Sequence, residues 1–295
     1  MQDLIGVLLI IISAVSFGAA AVFARFAYEA GTDPITLLFL RFGISSLCIL
    51  LLTLARGAKF PRGRTLLGLI LMGALAYFGA SFCYFTALTF TSAGLVALLL
   101  YLYPAIVTIL AVVVLKEQVS TLKIAALALA LVGTAFTIGP AGGGKSAGVI
   151  LALGAAFLYS VYILVGSKII EQGRATPASA VIITTAAVMF GSLIAIKGAS
   201  FPTTWFGWLS VSAIALISTV LGIVTFLAGL ERLGPTNAAM LSTIEPVVTV
   251  VLAALVLDEA ITPLRVAGGV MILLAVILLT KSRGEGQKSR MLDRR

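Results

Sequence analysis

The segment YPAIVTILAVVVLKE at residues 103–117 returns, altered but recognisable, as EPVVTVVLAALVLDE at residues 245–259. Each is an apolar run with proline at its second position, Pro104 and Pro246, and glutamate at its last, Glu117 and Glu259. The offset is 142 residues (246 minus 104), and the same offset aligns Gly6 with Gly148 and Gly31 with Gly173. From Ala97 to Glu117, eight of the 21 positions match their counterparts. Apolar helices coincide by chance at a few positions, so the proline and the glutamate carry the weight. The chain reads as two related halves.

Composition says where those halves reside. Of 295 residues 61% are hydrophobic and only 11% charged, against roughly 25% charged in soluble domains. Such a chain cannot cover a water-facing surface, and a mean hydropathy of +1.18 points to one helical bundle in lipid with no separate soluble domain. Histidine is absent, which removes the commonest general base and the commonest metal ligand and weakens every enzyme reading. Cys48 and Cys83 lie inside apolar runs and read as packing residues rather than a disulfide pair. The net charge of +9 could suggest nucleic acid, but the basic residues sit in short loops and at the C-terminus, where a membrane explains them better.

A spanning helix needs about 20 largely apolar residues. Runs of that kind fall at about 4–24, 34–54, 66–88, 93–115 and 122–138, then at 148–167, 177–196, 207–230, 236–257 and 264–280. The fold expected is all-α, integral to the membrane, with ten transmembrane helices in two five-helix repeats around a central cavity. The first repeat takes 1–140, a Gly-rich linker 141–147 and the second repeat 148–280. Residues 281–295 form a basic, disordered cytoplasmic tail. The first run follows Met1-Gln2-Asp3 with no basic leader, so it reads as an uncleaved span. With the N-terminus inside, fifteen of the 20 basic residues fall in cytoplasmic segments and four, Arg25, Lys145, Lys197 and Arg265, outside, while Arg41 lies within the second span. That asymmetry places both termini in the cytoplasm.

Five spans is an odd number, so the second half must cross the membrane in the opposite sense, an inverted repeat. Two halves of opposite sense can exchange conformations about a midplane site, which suits a carrier; duplication retained only for folding is the plainer alternative.

Individual residues refine the carrier reading. Pro104 and Pro246 fall mid-span, each removing a backbone donor and freeing the carbonyl four residues earlier, at Leu100 and Ser242. Each is expected to kink its helix, as a packing bend or as a gating hinge. Glu117 and Glu259 follow their prolines by 13 residues, about 20 Å of helix, which puts them at the interface in a structural role, receiving backbone N–H groups of the next helix. Ser120 and Thr262 are placed as N-caps beside them. Glu245 is different: it lies deep in the ninth span, where a carboxylate is costly. It either exchanges a proton or pairs with a cationic group of a solute, or is a structural partner of Arg41 or of a freed carbonyl. Tyr77, Ser81 and Tyr84 share one face of the third span, with Phe78, Phe82 and Phe85 on the adjoining one. Tyr101 and Tyr103 precede the kink at Pro104, and Tyr159 and Tyr162 share a face of the sixth span. Tyrosine offers a flat apolar surface and a hydroxyl, so Tyr77, Phe78, Ser81, Tyr84, Tyr101, Tyr103, Tyr159, Tyr162, Ser242 and Glu245 are the candidate solute-binding residues. No catalytic constellation and no metal ligand set stands out.

The paired segments, Tyr103-Pro104 through Leu115-Lys116-Glu117 and Glu245-Pro246 through Leu257-Asp258-Glu259, resemble the motifs of EamA-type drug/metabolite transporters, over nearly the whole chain. Within that superfamily the chain is similar to the bacterial aromatic amino-acid exporters. The resemblance implies a secondary transporter of the bacterial inner membrane that exports aromatic or other neutral amino acids, related metabolites and toxic organic compounds by alternating access, with no cofactor. Its partners would be a small-molecule substrate and the lipid bilayer, with protons as a candidate co-substrate and no nucleic acid, in a monomer or weak dimer. Other metabolites, such as a nucleobase or quaternary cation, or a facilitative channel, are the alternatives. Gly142-Gly143-Gly144-Lys145 lacks the spacing of a phosphate-binding loop and reads as flexible linker.

Overall fold

The computed structural model describes residues 2–87, 90, 93–138, 145–171, 173–257 and 261–292. Among them nine helices are long and apolar enough to cross a membrane: α1 Leu4–Glu29, α2 Pro34–Ala55, α3 Gly63–Ala87, α4 Val96–Leu115, α5 Thr121–Ile138, α6 Ser146–Ile169, α7 Ala175–Lys197, α8 Trp205–Leu233 and α9 Pro235–Leu257. The last helix, α10, runs Pro263–Leu292, with a shorter apolar part at Pro263–Leu278. The described residues are helical without strands, as lipid demands of a chain whose backbone must satisfy itself. The basic stretch expected to be disordered continues α10 to Leu292; extending an existing helix is far easier than starting one, and Lys, Arg, Gln and Leu are good helix formers. Most of the linker, Asp258 and Glu259 lie outside the described residues.

Local chemistry sets the ends. Asp33 caps α2, its carboxylate accepting from the N–H of Ile35 and Thr36 just before Pro34 enters the first turn. Ser120 and Thr262 cap α5 and α10 as expected, accepting from the N–H of Lys123 and Arg265, each at 3.3 Å. Thr204 does the same for α8, toward Gly207. At the end of α4 the chain turns through a left-handed conformation at Lys116, φ 55°.

The packing is symmetric under exchange of the halves. α5 packs along α10 and α2 along α7, so both pairs join a helix to its own counterpart. The second part of α8 lies on α1, and the second part of α3 lies on α6. α1 begins beside the end of α8, with Gly6 against Leu233, whereas α6 begins beside the end of α3, where the N–H of Lys145 reaches the Phe90 carbonyl at 3.2 Å. The two halves therefore run in opposite directions. α5 and α10 approach most closely at Gly133 and Gly268, where a Cβ on Gly268 would stand 2.5 Å from the Gly133 carbonyl oxygen.

Side-chain polarity is that of a protein in lipid. Large apolar residues such as Ile150, Ile196 and Leu255 are exposed, while Ser13, Ser45, Ser160 and Ser179 are buried. Cys48 and Cys83 are both free. Trp205 and Trp208 are exposed at the start of α8, Trp208 stacked on Phe201 at 6.2 Å and Trp205 edge-on to Phe206 at 5.8 Å, in the manner of an aromatic interface belt.

Candidate functional site

The helices are broken at matched places. α4 is interrupted at Tyr101 and Leu102, and its regular second part begins at Tyr103; α9 passes through a 3-10 turn at Ser242–Ile244 and resumes at Glu245. Tyr103 and Glu245 are separated by the repeat offset (245 minus 103 is 142), so both prolines act one residue into a new helical segment. A second pair of breaks has no proline: α3 widens into a π-helix at Met72–Tyr77 and α8 does so at Ile214–Leu221. These too start 142 residues apart (214 minus 72). π-turns leave carbonyls short of partners and are frequent at functional sites, and here neighbours supply donors. The Ser45 hydroxyl of α2 reaches the Ala215 carbonyl, and the Ser13 hydroxyl of α1 reaches the Gly222 carbonyl, both at 2.8 Å. One break lacks a counterpart: α1 turns at Ala19, whereas α6 is continuous.

These breaks surround a cavity of about 560 Å³. Its deeper lining includes Arg41, Tyr77, Tyr103, Tyr159, Glu245 and Pro246; nearer one end of the bundle it is lined by Tyr28, Tyr84, Ala97, Ile138, Leu257 and Arg265. That is the end at which α1, α3, α5 and α9 finish. The opposite end is closed. There Glu117 accepts the Thr236 hydroxyl at 3.0 Å and meets Lys123 at 3.6 Å, and Glu231 accepts the Gly173 N–H at 3.0 Å. Glu117 thus holds a side chain of the other half and a lysine, where backbone N–H groups were expected, because the left-handed turn at Lys116 precedes it.

Of the candidate residues, Tyr77, Ser81, Tyr84, Tyr101, Tyr103, Tyr159 and Glu245 line the cavity. Phe78, Tyr162 and Ser242 do not. Tyr162, 1% exposed, stacks on Tyr159 at 5.8 Å and Phe226 at 6.5 Å behind the wall. Phe78 turns away to Phe190, 4.7 Å between centroids. Ser242 gives its hydroxyl to the Ala238 carbonyl in its own helix, 2.9 Å. Pro246 borders the cavity and Pro104 is buried behind it.

The aromatic wall is continuous. Tyr103 meets Tyr159 edge-on at 4.9 Å, Tyr77 tilts against Tyr162 at 5.1 Å, and Phe42 anchors the other side against Tyr77 and Phe190, each at 5.5 Å. Into this wall project two opposite charges. The Glu245 carboxylate is within hydrogen-bonding reach of the Tyr101 hydroxyl. Arg41 gives its Nε–H to Thr219 Oγ1 at 2.7 Å and lays its guanidinium carbon 5.0 Å from the centre of the Phe42 ring. Arg41 and Glu245 make no direct ion pair with each other. Arg41 had been read only as a possible partner of Glu245; its depth in the second span was the signal, since an intramembrane charge marks a functional candidate.

Two inverted sets of five helices enclosing a polar, one-ended cavity are the architecture of a membrane transporter. The chain belongs to the EamA-like transporter family, which matches it twice, over residues 4–139 and 146–281. It is 24% identical over 248 residues to the uncharacterized transporter YyaM of Bacillus subtilis (strain 168), covering 80% of this chain and 81% of that one. It is likewise 24% identical over 282 residues to the uncharacterized transporter YcbK of the same organism, covering 89% and 88%. A solved crystal structure superposes with a TM-score of 0.78 over 93% of this chain and 96% of the other, at 20% identity, a likeness of fold.

Proposed function

We propose that the protein exports amino acids, aromatic or other neutral ones, and related metabolites or toxic organic compounds across the bacterial cytoplasmic membrane, as a secondary transporter working by alternating access. The observation that carries this reading is the cavity itself: it sits where the broken helices of both halves meet, is walled by tyrosines, and holds one acidic and one basic side chain. Tyrosine walls suit a ring or a long apolar side chain, and paired charges suit a solute that carries both signs. With both termini cytoplasmic, as the basic residues favour, the cavity opens outward. Glu245 is the coupling carboxylate of this scheme, and Pro104 and Pro246 are the hinges about which α4 and α9 rearrange.

The test is uptake of labelled phenylalanine, threonine and glutamate into liposomes holding the purified protein, with and without a pH gradient, beside Glu245→Gln. Saturable uptake of phenylalanine or threonine above empty vesicles is expected, with a gradient response that Glu245→Gln abolishes. Folded protein that moves no amino acid would refute the substrate assignment, and flux that neither saturates nor shows counterflow would refute the carrier mechanism.

A further inference from the structure

Arg41 differs from the other basic residues that border the cavity, Arg25 and Arg265. Those two belong to the mouth, and Arg25 is paired with Glu29 at 3.5 Å. Arg41 lies seven residues into α2, roughly 10 Å below its start at 1.5 Å per residue. Everything around it fixes the guanidinium and leaves its outer edge available. Thr219 takes the Nε–H, and Thr219 is itself held by a bond from its hydroxyl to the Ile214 carbonyl, 2.9 Å away and five residues back. That spacing belongs to the π-helix, so the widened turn of α8 presents Thr219 to Arg41. Beneath the guanidinium lies Phe42, fully buried and stacked at 9° on Phe190. Among the described residues no protein acceptor takes the two Nη groups. With Nε occupied, they form the end-on fork that binds a carboxylate in two parallel hydrogen bonds.

The opposite pole is Glu245, 12 residues before the end of α9 and so roughly 18 Å from that end. It is held by the Tyr101 hydroxyl and stands close enough to Arg41 to feel its charge without pairing with it. Two fixed charges of opposite sign, facing one low-dielectric cavity and not neutralising each other, are completed by a solute that carries both.

We propose that Arg41, held by Thr219 at the π-turn of α8, is the carboxylate-binding group of the cavity, and that with Glu245 it orients a zwitterionic solute, carboxylate toward α2 and ammonium toward α9. This rests on the transporter reading of the same cavity and adds the recognising residues and the orientation. Thr219 is a positioning residue: it sets the plane of the fork without touching the solute.

The experiment is direct binding of labelled phenylalanine to purified protein, with competition by phenethylamine, which lacks the carboxylate, and 3-phenylpropionate, which lacks the ammonium. In wild type each one-charge analogue competes at least tenfold less well than phenylalanine. Arg41→Gln weakens phenylalanine at least tenfold and leaves phenethylamine unchanged, Arg41→Lys recovers only part of the loss, and Thr219→Val costs several-fold for phenylalanine alone. Phenethylamine competing as well as phenylalanine, or Arg41→Gln binding phenylalanine within twofold of wild type, overturns the proposal. Should Arg41→Gln fail to fold, the wild-type competition series decides alone. If wild type binds none of the three yet takes up another solute saturably, this proposal falls and transport stands; if no solute is taken up saturably, the transporter reading of the cavity falls with it.

Discussion

Thr236 donates its hydroxyl hydrogen to Glu117 at 3.0 Å, joining the first turn of α9 to the end of α4. The two residues belong to different halves, so the contact must break before the closed end can open. A hydrogen bond to a charged group contributes about 1.5–3 kcal/mol, less where water reaches it, as at the quarter-exposed Glu117 side chain. Thr236→Val is therefore expected to raise the population open at this end roughly tenfold, about 1.4 kcal/mol. The readout is the labelling rate of Met240→Cys, buried in α9, in a background without Cys48 and Cys83. An unchanged rate would mean that other contacts keep the end shut.

Gly268 and Gly269 are adjacent in α10 and should respond in opposite ways to alanine. A Cβ on Gly268 meets the backbone of α5, 2.5 Å from the Gly133 oxygen and 2.5 Å from the Thr137 nitrogen, where nothing can yield locally. Gly268→Ala is expected to destabilise by about 1–3 kcal/mol, the usual range for overpacking. On Gly269 the new atom meets only Val247, at 3.7 Å, so Gly269→Ala should be neutral or stabilise by up to about 1 kcal/mol through helix propensity. Thermal unfolding in detergent separates the two, and equal melting temperatures would show that α5 and α10 are not packed so closely.

Asp33 makes stability depend on acid pH. Burial pushes its carboxyl up, but bonds from the Thr36 hydroxyl and from the N–H groups of Thr36, Ile35 and Ser200 outweigh it and hold the group below its ordinary value of 3.8. A folded-state pKa below the unfolded one contributes stability that is fully present above the unfolded value and is lost as pH falls through the folded one. The gap in melting temperature between wild type and Asp33→Asn should hold steady from about pH 7 to 5 and close below about pH 4. Asp33→Ala, which loses the cap itself, should cost about 1 kcal/mol at neutral pH. A gap undiminished at pH 3 would place the effect in the cap geometry rather than in the charge.

Where the sequence speaks locally, it speaks of the fold. The ten apolar runs, the caps at Ser120 and Thr262 and the breaks at Pro104 and Pro246 all rest on residue types whose effect is confined to a turn or two. The π-turns at Met72–Tyr77 and Ile214–Leu221 contain no proline and no unusual residue; they arise from neighbouring helices, through contacts such as Ser45 to Ala215, 170 positions apart. Helical periodicity put Tyr77, Ser81 and Tyr84 correctly on one face. It failed for Tyr162, whose face is covered by Phe226, and for Ser242, whose hydroxyl bonds back within its own helix. Arg41 was visible as an intramembrane charge, but its role depends on Thr219, 178 positions away, and no local pattern reports that.

Both tryptophans of the chain, Trp205 and Trp208, stand exposed at the start of α8, at the end of the bundle where the cavity opens. Indole emission from this protein therefore samples one leaflet only. A quencher confined to the outer face of a vesicle will dim only the molecules whose open end faces outward, so the dimmed fraction measures how reconstituted molecules are oriented, with no label attached. Flux assays, whose sign depends on that orientation, can then be corrected by the protein's own fluorescence.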